Sequence, residues 1–232
     1  MKPQSRHIIH IGVNFVISPP PLIDLRSSYL DFQKNLITNG IEFSNAMCQE
    51  RTIQVVRNGP SPLQITVAAL TPQIGQLVIV APHPERPVSY FTKEASAIVE
   101  AFNQTWPAQP KQIMSCDATV RDLYETTSEH AFKELWESRL GQSLDSLGAF
   151  GRPILGGGLR FVMPPLPNEP EPAQIEVKIE SFLEDVKKIF IETQFTWPQP
   201  ATPNAPLDPE RRLNQVNEYI EREVMRFVMQ EK

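Results

Sequence analysis

The residues best placed by type to do chemistry are three consecutive glycines, Gly156, Gly157 and Gly158, flanked by Arg152 and Arg160. Backbone amides without side chains can close around a phosphate, and two guanidinium groups would neutralise it. A phosphate loop also needs a Lys and a Ser or Thr after its last glycine, and it must open a helix. Here the glycines lead into Leu159-Arg160-Phe161-Val162-Met163, which alternates like a strand. The dinucleotide pattern GxGxxG is absent as well, and no strand–turn–helix context surrounds the glycines. The triplet therefore reads as the start of a strand, a bulge or a close backbone approach. A strand over 158–163 is expected, with an anion-binding nest beside Arg152 and Arg160 as the alternative.

The remaining reactive types are scattered. His7 and His10 stand three apart in a strand-like run, a spacing that predicts opposite faces and no shared metal ion. His83 lies in the turn APHPERP, and His130 falls in the first turn of an expected helix. Cys48 and Cys116 form no CxxC pair, which favours reduced, partly buried thiols over a disulfide framework or a zinc site. No GxSxG elbow occurs, and Ser61 in NGPSPL precedes a strand. Glu176, Glu180, Glu184 and Glu192 interleave with Lys178, Lys187 and Lys188, the composition of a solvated sheet face. These residues give no catalytic, metal or cofactor assignment.

The elements that must position these side chains are punctuated by proline, 23 residues of it in clusters. Each cluster should fall between regular elements, because proline fixes its own φ and restricts the residue before it. Ile9, Ile11, Val13, Phe15 and Ile17 alternate as in a half-buried strand. Leu22, Leu25, Tyr29, Phe32 and Leu36 recur at helical spacing, and Asn39-Gly40 supplies a left-handed stop. Strand-like runs are expected at about 41–57, 63–70 and 76–81, then a helix along Phe91, Ala95, Ile98, Phe102 and Trp106. In the second half, a strand near 112–121 leads to a helix with a capping box at Thr126 to Glu129 and a stripe of Phe132, Trp136, Leu140, Leu144 and Leu147. Further strands are expected at about 158–163, 174–182 and 187–195. Asp208 as N-cap and Pro209 at the first position open a last helix with the stripe Leu213, Val216, Ile220, Val224 and Phe227.

Both halves thus read strand, helix, three or more strands, helix. This predicts an α+β fold of two pseudo-repeated units, 1–109 and 110–232, forming antiparallel sheets with helices packed mainly on one face. The element order is similar to that of the TATA-binding-protein saddle, a likeness of fold that carries no function. The segments Pro20-Pro21-Leu22, Ile175 to Phe195 and Leu213 to Phe227 also resemble a sporadically distributed, functionally uncharacterised prokaryotic family. Its members carry a Pro-Pro-Leu segment beside an apolar strand and close with a strand pair and an amphipathic helix. That resemblance supplies no site residues.

A chain of 232 residues with 41% hydrophobic content can bury a sizeable core. Its net charge of -5 argues against binding nucleic acid through phosphates. No stretch approaches the roughly 18 apolar residues of a membrane span, and the start lacks a signal-peptide core, so a cytoplasmic protein is expected without membrane contact. With no catalytic motif, the sequence reads as a non-catalytic interaction or assembly protein instead of an enzyme. The alternative is a small-molecule-binding protein or enzyme with a site in the crevice between the halves. If Ile11, Val13, Phe15, Ile65, Val67, Leu77 and Ile79 face the helices, then Asn14, Val16, Thr66, Ala68, Val78 and Val80 share the opposite face. That nearly uncharged patch is the expected docking surface for a second copy or another protein. In the second half the same logic turns Arg160, Glu176, Lys178, Glu180, Lys188 and Glu192 outward.

Overall fold

A computed structural model describes residues 1–24, 27–107, 112–198 and 200–229 of the chain. Leu25 and the expected division at 109/110 lie outside these residues. Nine strands form one antiparallel sheet: β1 (His7–Ser18), β2 (Asn45–Gln49), β3 (Thr52–Arg57), β4 (Leu63–Ala69), β5 (Gly75–Pro82), β6 (Gln112–Glu125), β7 (Gly158–Met163), β8 (Gln174–Ser181) and β9 (Lys188–Trp197). Their spatial order is β2-β3-β4-β5-β1-β6-β9-β8-β7. The first strand is therefore central, paired with β5 on one side and β6 on the other.

Five helices accompany the sheet among the described residues: α1 (Ser28–Thr38), α2 (Val88–Thr105), α3 (Ala131–Lys133), α4 (Pro209–Tyr219) and α5 (Met225–Met229). They cover one face. Ile11, Val13, Phe15, Ile65, Val67, Leu77 and Ile79 are at most 2% exposed and join Phe32 and Leu36 of α1, Phe91, Ala95, Ile98 and Phe102 of α2, and Leu213 and Val216 of α4 in one core. Burying each of the Val, Leu, Ile and Phe side chains among these contributes about 1.5–3 kcal/mol. A second core gathers Tyr124, Val177, Ile179 and Ile191 beneath Leu135, Val224 and Val228.

The helix boundaries follow local chemistry. The chain at Pro20 and Pro21 lies so close to Gly75 that a Cβ there would stand 2.9 Å from the Pro20 Cα. Helix α1 consequently starts at Ser28, later than its apolar spacing predicts, and Leu22 is left exposed. The Leu22 carbonyl instead accepts from the indole Nε1 of Trp106 at 2.8 Å. That ring packs at a tilt against Phe102 and Phe32, closing the end of α2. Gly40, at φ 77°, ends α1 as expected. Asp208 caps α4 through Oδ1, which accepts from the Arg211 amide at 3.0 Å.

Two expected helices are altered by π turns. After α3 the chain winds as a π-helix over Glu134–Arg139 and later as a 3-10 helix over Leu144–Phe150. The expected capping box does not form, because the Thr126 hydroxyl is bonded to the Glu134 carboxylate while the His130 side chain caps the helix by accepting from the Phe132 amide. Leu144 and Leu147 are consequently no part of the core. A second π turn, Ile220–Val224, joins α4 to α5. Its wider winding advances the apolar stripe by one residue, so Val228 is buried at 3% exposure whereas Phe227 is 45% exposed. The expectation of a buried Phe227 is overturned for that reason.

Candidate functional site

The face of the sheet opposite the helices is the candidate site. In an antiparallel ladder, directly opposed residues share a face, so register alone assembles it. One row runs Met47, Gln54, Thr66, Val78, Asn14, Asp117, Thr196, Gln174 across eight strands. A parallel row carries Val80 and Gly12 beside Thr119, and another carries Ala68, Gln76 and Val16. Asn14, Val16, Thr66, Ala68, Val78 and Val80 therefore do share one face. Ala68 is buried there, and the other five are half-buried.

Polar groups join the centre of this face. The Gln76 Nε2 donates to Asn14 Oδ1 at 2.9 Å, the Asn14 Nδ2 donates to Asp117 Oδ2 at 3.2 Å, and the Thr196 hydroxyl donates to Asp117 Oδ1 at 2.7 Å. Four strands are tied by this chain of side chains. Alternation marks Gln76 as a neighbour of Val78, but Asp117 and Thr196 join only once β1 is known to pair with β6 and β6 with β9.

Toward β7 the same face is ionic. Glu192 accepts from Arg121 on one side and Lys178 on the other, each at 2.5 Å, and Glu176 accepts two hydrogen bonds at 2.9 Å from Arg160. Lys178 also stands 3.3 Å from Glu176. Glu192 lies on the outward face as expected but is only 5% exposed there; two flanking cations make its burial tolerable. Burial alone would raise its carboxyl, but the hydrogen bonds from Lys178 and Arg121 outweigh that and hold it below the usual range. Arg160 lowers Glu176 by hydrogen bonding, and Glu192 raises Lys178 in the same way.

His10 closes the row beside Arg121. A bulge at Ile9 sets His7 opposite Leu123 and His10 opposite Arg121. This brings both histidines to one face, against the expectation from simple alternation, because a bulge adds a residue without adding a pleat. Burial, reinforced by Arg121, pushes His10 down to about 4. No group of three or more His, Cys, Asp or Glu side chains could hold a metal ion among the described residues.

The glycines open strand β7, as their sequence context predicts. A Cβ at Gly158 would lie 2.6 Å from the Glu180 Cα, and one at Gly156 would lie 2.5 Å from the Ser181 hydroxyl. The Gly157 amide donates to Ser181 Oγ at 3.0 Å, and Arg160 is engaged by Glu176. Arg152 lines a separate cavity with His130 and Phe132. Cys48 and Cys116 are free thiols. Cys116 is buried, which pushes its thiol up to about 12 and keeps it protonated at neutral pH.

No helix among the described residues is long and apolar enough to cross a membrane. Comparison with protein-family models and with curated proteins finds no match.

Proposed function

We propose that this chain is a non-catalytic protein-binding module that docks another protein on the open face of its sheet. The supporting observation is that Val16, Val78, Val80 and Thr66 lie half-buried on a face that no described helix packs against. The partner's surface is largely uncharged and carries hydrogen-bonding groups, to match the amides and hydroxyls of Gln54, Gln76, Asn14 and Thr66. Arg121, Lys178 and Arg160 are each paired with a carboxylate, so a polyanion would have to displace an existing ion pair.

The sheet order also supports a duplicated architecture. Strands β5, β4 and β3 succeed one another outward from β1 as β9, β8 and β7 do outward from β6. In this reading the two units meet at the β1·β6 pair, and the open face runs unbroken across both.

Val78→Lys combined with Val80→Lys tests the docking surface. Protein co-purifying with the wild type should be lost from the double variant, while thermal unfolding of the same preparation remains cooperative. A steep loss of stability with no loss of partner would identify the face as interior and end the proposal.

A second reading has one observation behind it. A cavity of 500 Å³ is lined by Arg6, His7 and Arg86 from the first half and by Asn217 and Glu221 from the second. It would serve a small polar ligand, and a thermal-shift screen with metabolites tests it, because ligand at 100 times its dissociation constant stabilises by about 2.7 kcal/mol.

A further inference from the structure

Strand β7 is an outer edge of the sheet, and no strand among the described residues pairs with its free side. Edge strands in soluble proteins are ordinarily blunted by bulges, internal prolines, inward charges or a covering segment. The opposite edge, β2, has the Tyr29 hydroxyl of α1 donating to its Ala46 carbonyl at 2.8 Å. Strand β7 pairs with β8 through six unbroken register positions, with no bulge and no proline inside it. Its residues Phe161 and Val162 are 37% and 53% exposed, and Phe227 of α5, in edge-to-face contact with Phe161 at 5.3 Å, is 45% exposed. A cavity of 510 Å³ lies between this strand and the C-terminal helix, floored by Val177 and Ile179 and walled by Phe161, Met163, Val224 and Phe227.

The direction of the free backbone groups is set by the ladder. The Ser181 amide donates to the Gly157 carbonyl at 3.0 Å, so position 157 bonds toward β8. Alternation then turns 159, 161 and 163 toward β8 as well, and leaves the amide and carbonyl of 158, 160 and 162 pointing outward.

We propose that β7 pairs antiparallel with β7 of a second copy about a twofold axis through Phe161, joining two sheets into one. The chemistry of the strand selects this occupant and this register. Outward positions must oppose outward positions, which leaves pairings centred on 160, 161 or 162. Centring on Arg160 sets two guanidinium groups directly opposite, and centring on Val162 leaves fewer residues paired. Centring on Phe161 opposes Leu159 with Met163 of the second copy and Phe161 with itself, so the helix-side row is apolar throughout. On the open side Arg160 meets Val162 of the second copy, and its charge is already neutralised by Glu176 at 2.9 Å. The strand is bounded by Gly156 to Gly158 at one end and Pro164-Pro165 at the other, which limits the pairing to this segment. Such an interface is isologous and closes at two copies.

Sedimentation of the full chain across a wide range of concentration should show a species of twice 26.3 kDa. Val162→Pro removes an outward amide at an edge position, where proline is tolerated, and should return the chain to monomer with an unchanged cooperative unfolding transition. Val162→Lys, a change at an exposed position, should do the same should the proline variant fail to fold. Phe161→Cys, made with Cys48→Ser, should cross-link to its own counterpart on mild oxidation, because directly opposed Cα atoms in a non-hydrogen-bonded pair stand about 4.5 Å apart. Val78→Lys with Val80→Lys should leave the dimer intact, which separates this interface from the open-face site. A chain that is monomeric at every concentration overturns the proposal. So does a dimer that survives both Val162 variants and gives no Phe161→Cys cross-link.

Discussion

His10 and Glu134 each tie stability to pH. Burial and the neighbouring Arg121 hold His10 near 4, below the 6.5 of a free imidazole. The unfolded chain therefore takes up a proton that the folded chain refuses, and stability falls as pH drops from 6.5 toward 4. Glu134 acts lower. Burial would raise its carboxyl, but the Met1 ammonium, the Thr126 hydroxyl and the Thr127 amide outweigh that and bring it to about 2. Its contribution is complete above 4.5 and is lost as pH falls toward 2. Urea midpoints measured against pH should decline in these two windows, with His10→Gln flattening the upper one and Glu134→Gln the lower. An upper window unaltered by His10→Gln would assign it to another group.

At the scale of the element, the π turn of Ile220–Val224 makes a sharp test of packing. Val228→Ala should cost about 1–3 kcal/mol because it empties a buried site, whereas Phe227→Ala should cost under about 1 kcal/mol in the monomer. Chemical denaturation of both variants at a concentration too low for association checks the order. The strands are legible in the sequence as period-two runs, because alternation is local and most runs are bounded by Pro, Gly or Asn. The run at 41–57 is the exception: it holds both β2 and β3, turned at Glu50 with φ 51°, where neither Gly nor Pro marks the turn. The last helix is legible to Val224, with its cap read from Asp208-Pro209. The shift from Phe227 to Val228 is not, since a π turn differs from an α turn by one residue and leaves no mark in composition. The failure at 131–150 has a different cause. Thr126 carries the right type for an N-cap, but Glu134 claims it together with the Met1 amino group, a partner from distant sequence. Similarly, the six expected face residues are legible by alternation, whereas the Asp117–Thr196 bond and the Arg121–Glu192–Lys178 row depend on strand order. The bulge at Ile9 reversed the reading of His7 and His10 because a single extra residue inverts every later parity.

For the whole molecule, charge is arranged as closely spaced opposites and not as a field. Arg121, Lys178 and Arg160 alternate with Glu192 and Glu176 across β6, β9, β8 and β7. Asp117 and Glu180 on the same face offset the third cation, so the open face presents no surplus of positive charge, and duplex DNA or single-stranded RNA should show no saturable binding by fluorescence anisotropy even at low salt. Affinity that falls steeply with added salt would contradict the protein-docking reading. The position of β1 has a separate consequence, one of timing. The segment His7–Ser18 precedes both of its neighbours in the chain, and its sheet is completed only by Gly75–Pro82 and then by Gln112–Glu125. During synthesis at about 5–20 residues per second, this apolar strand waits on the order of 5–20 s for its second partner to emerge. The central strand of the sheet is thus made before either of the strands that cover its edges, and folding is governed by contacts distant in sequence, the slow class of topology. The yield of native protein on refolding should accordingly fall as chain concentration rises, because β1 can meet other chains before its own partners close on it.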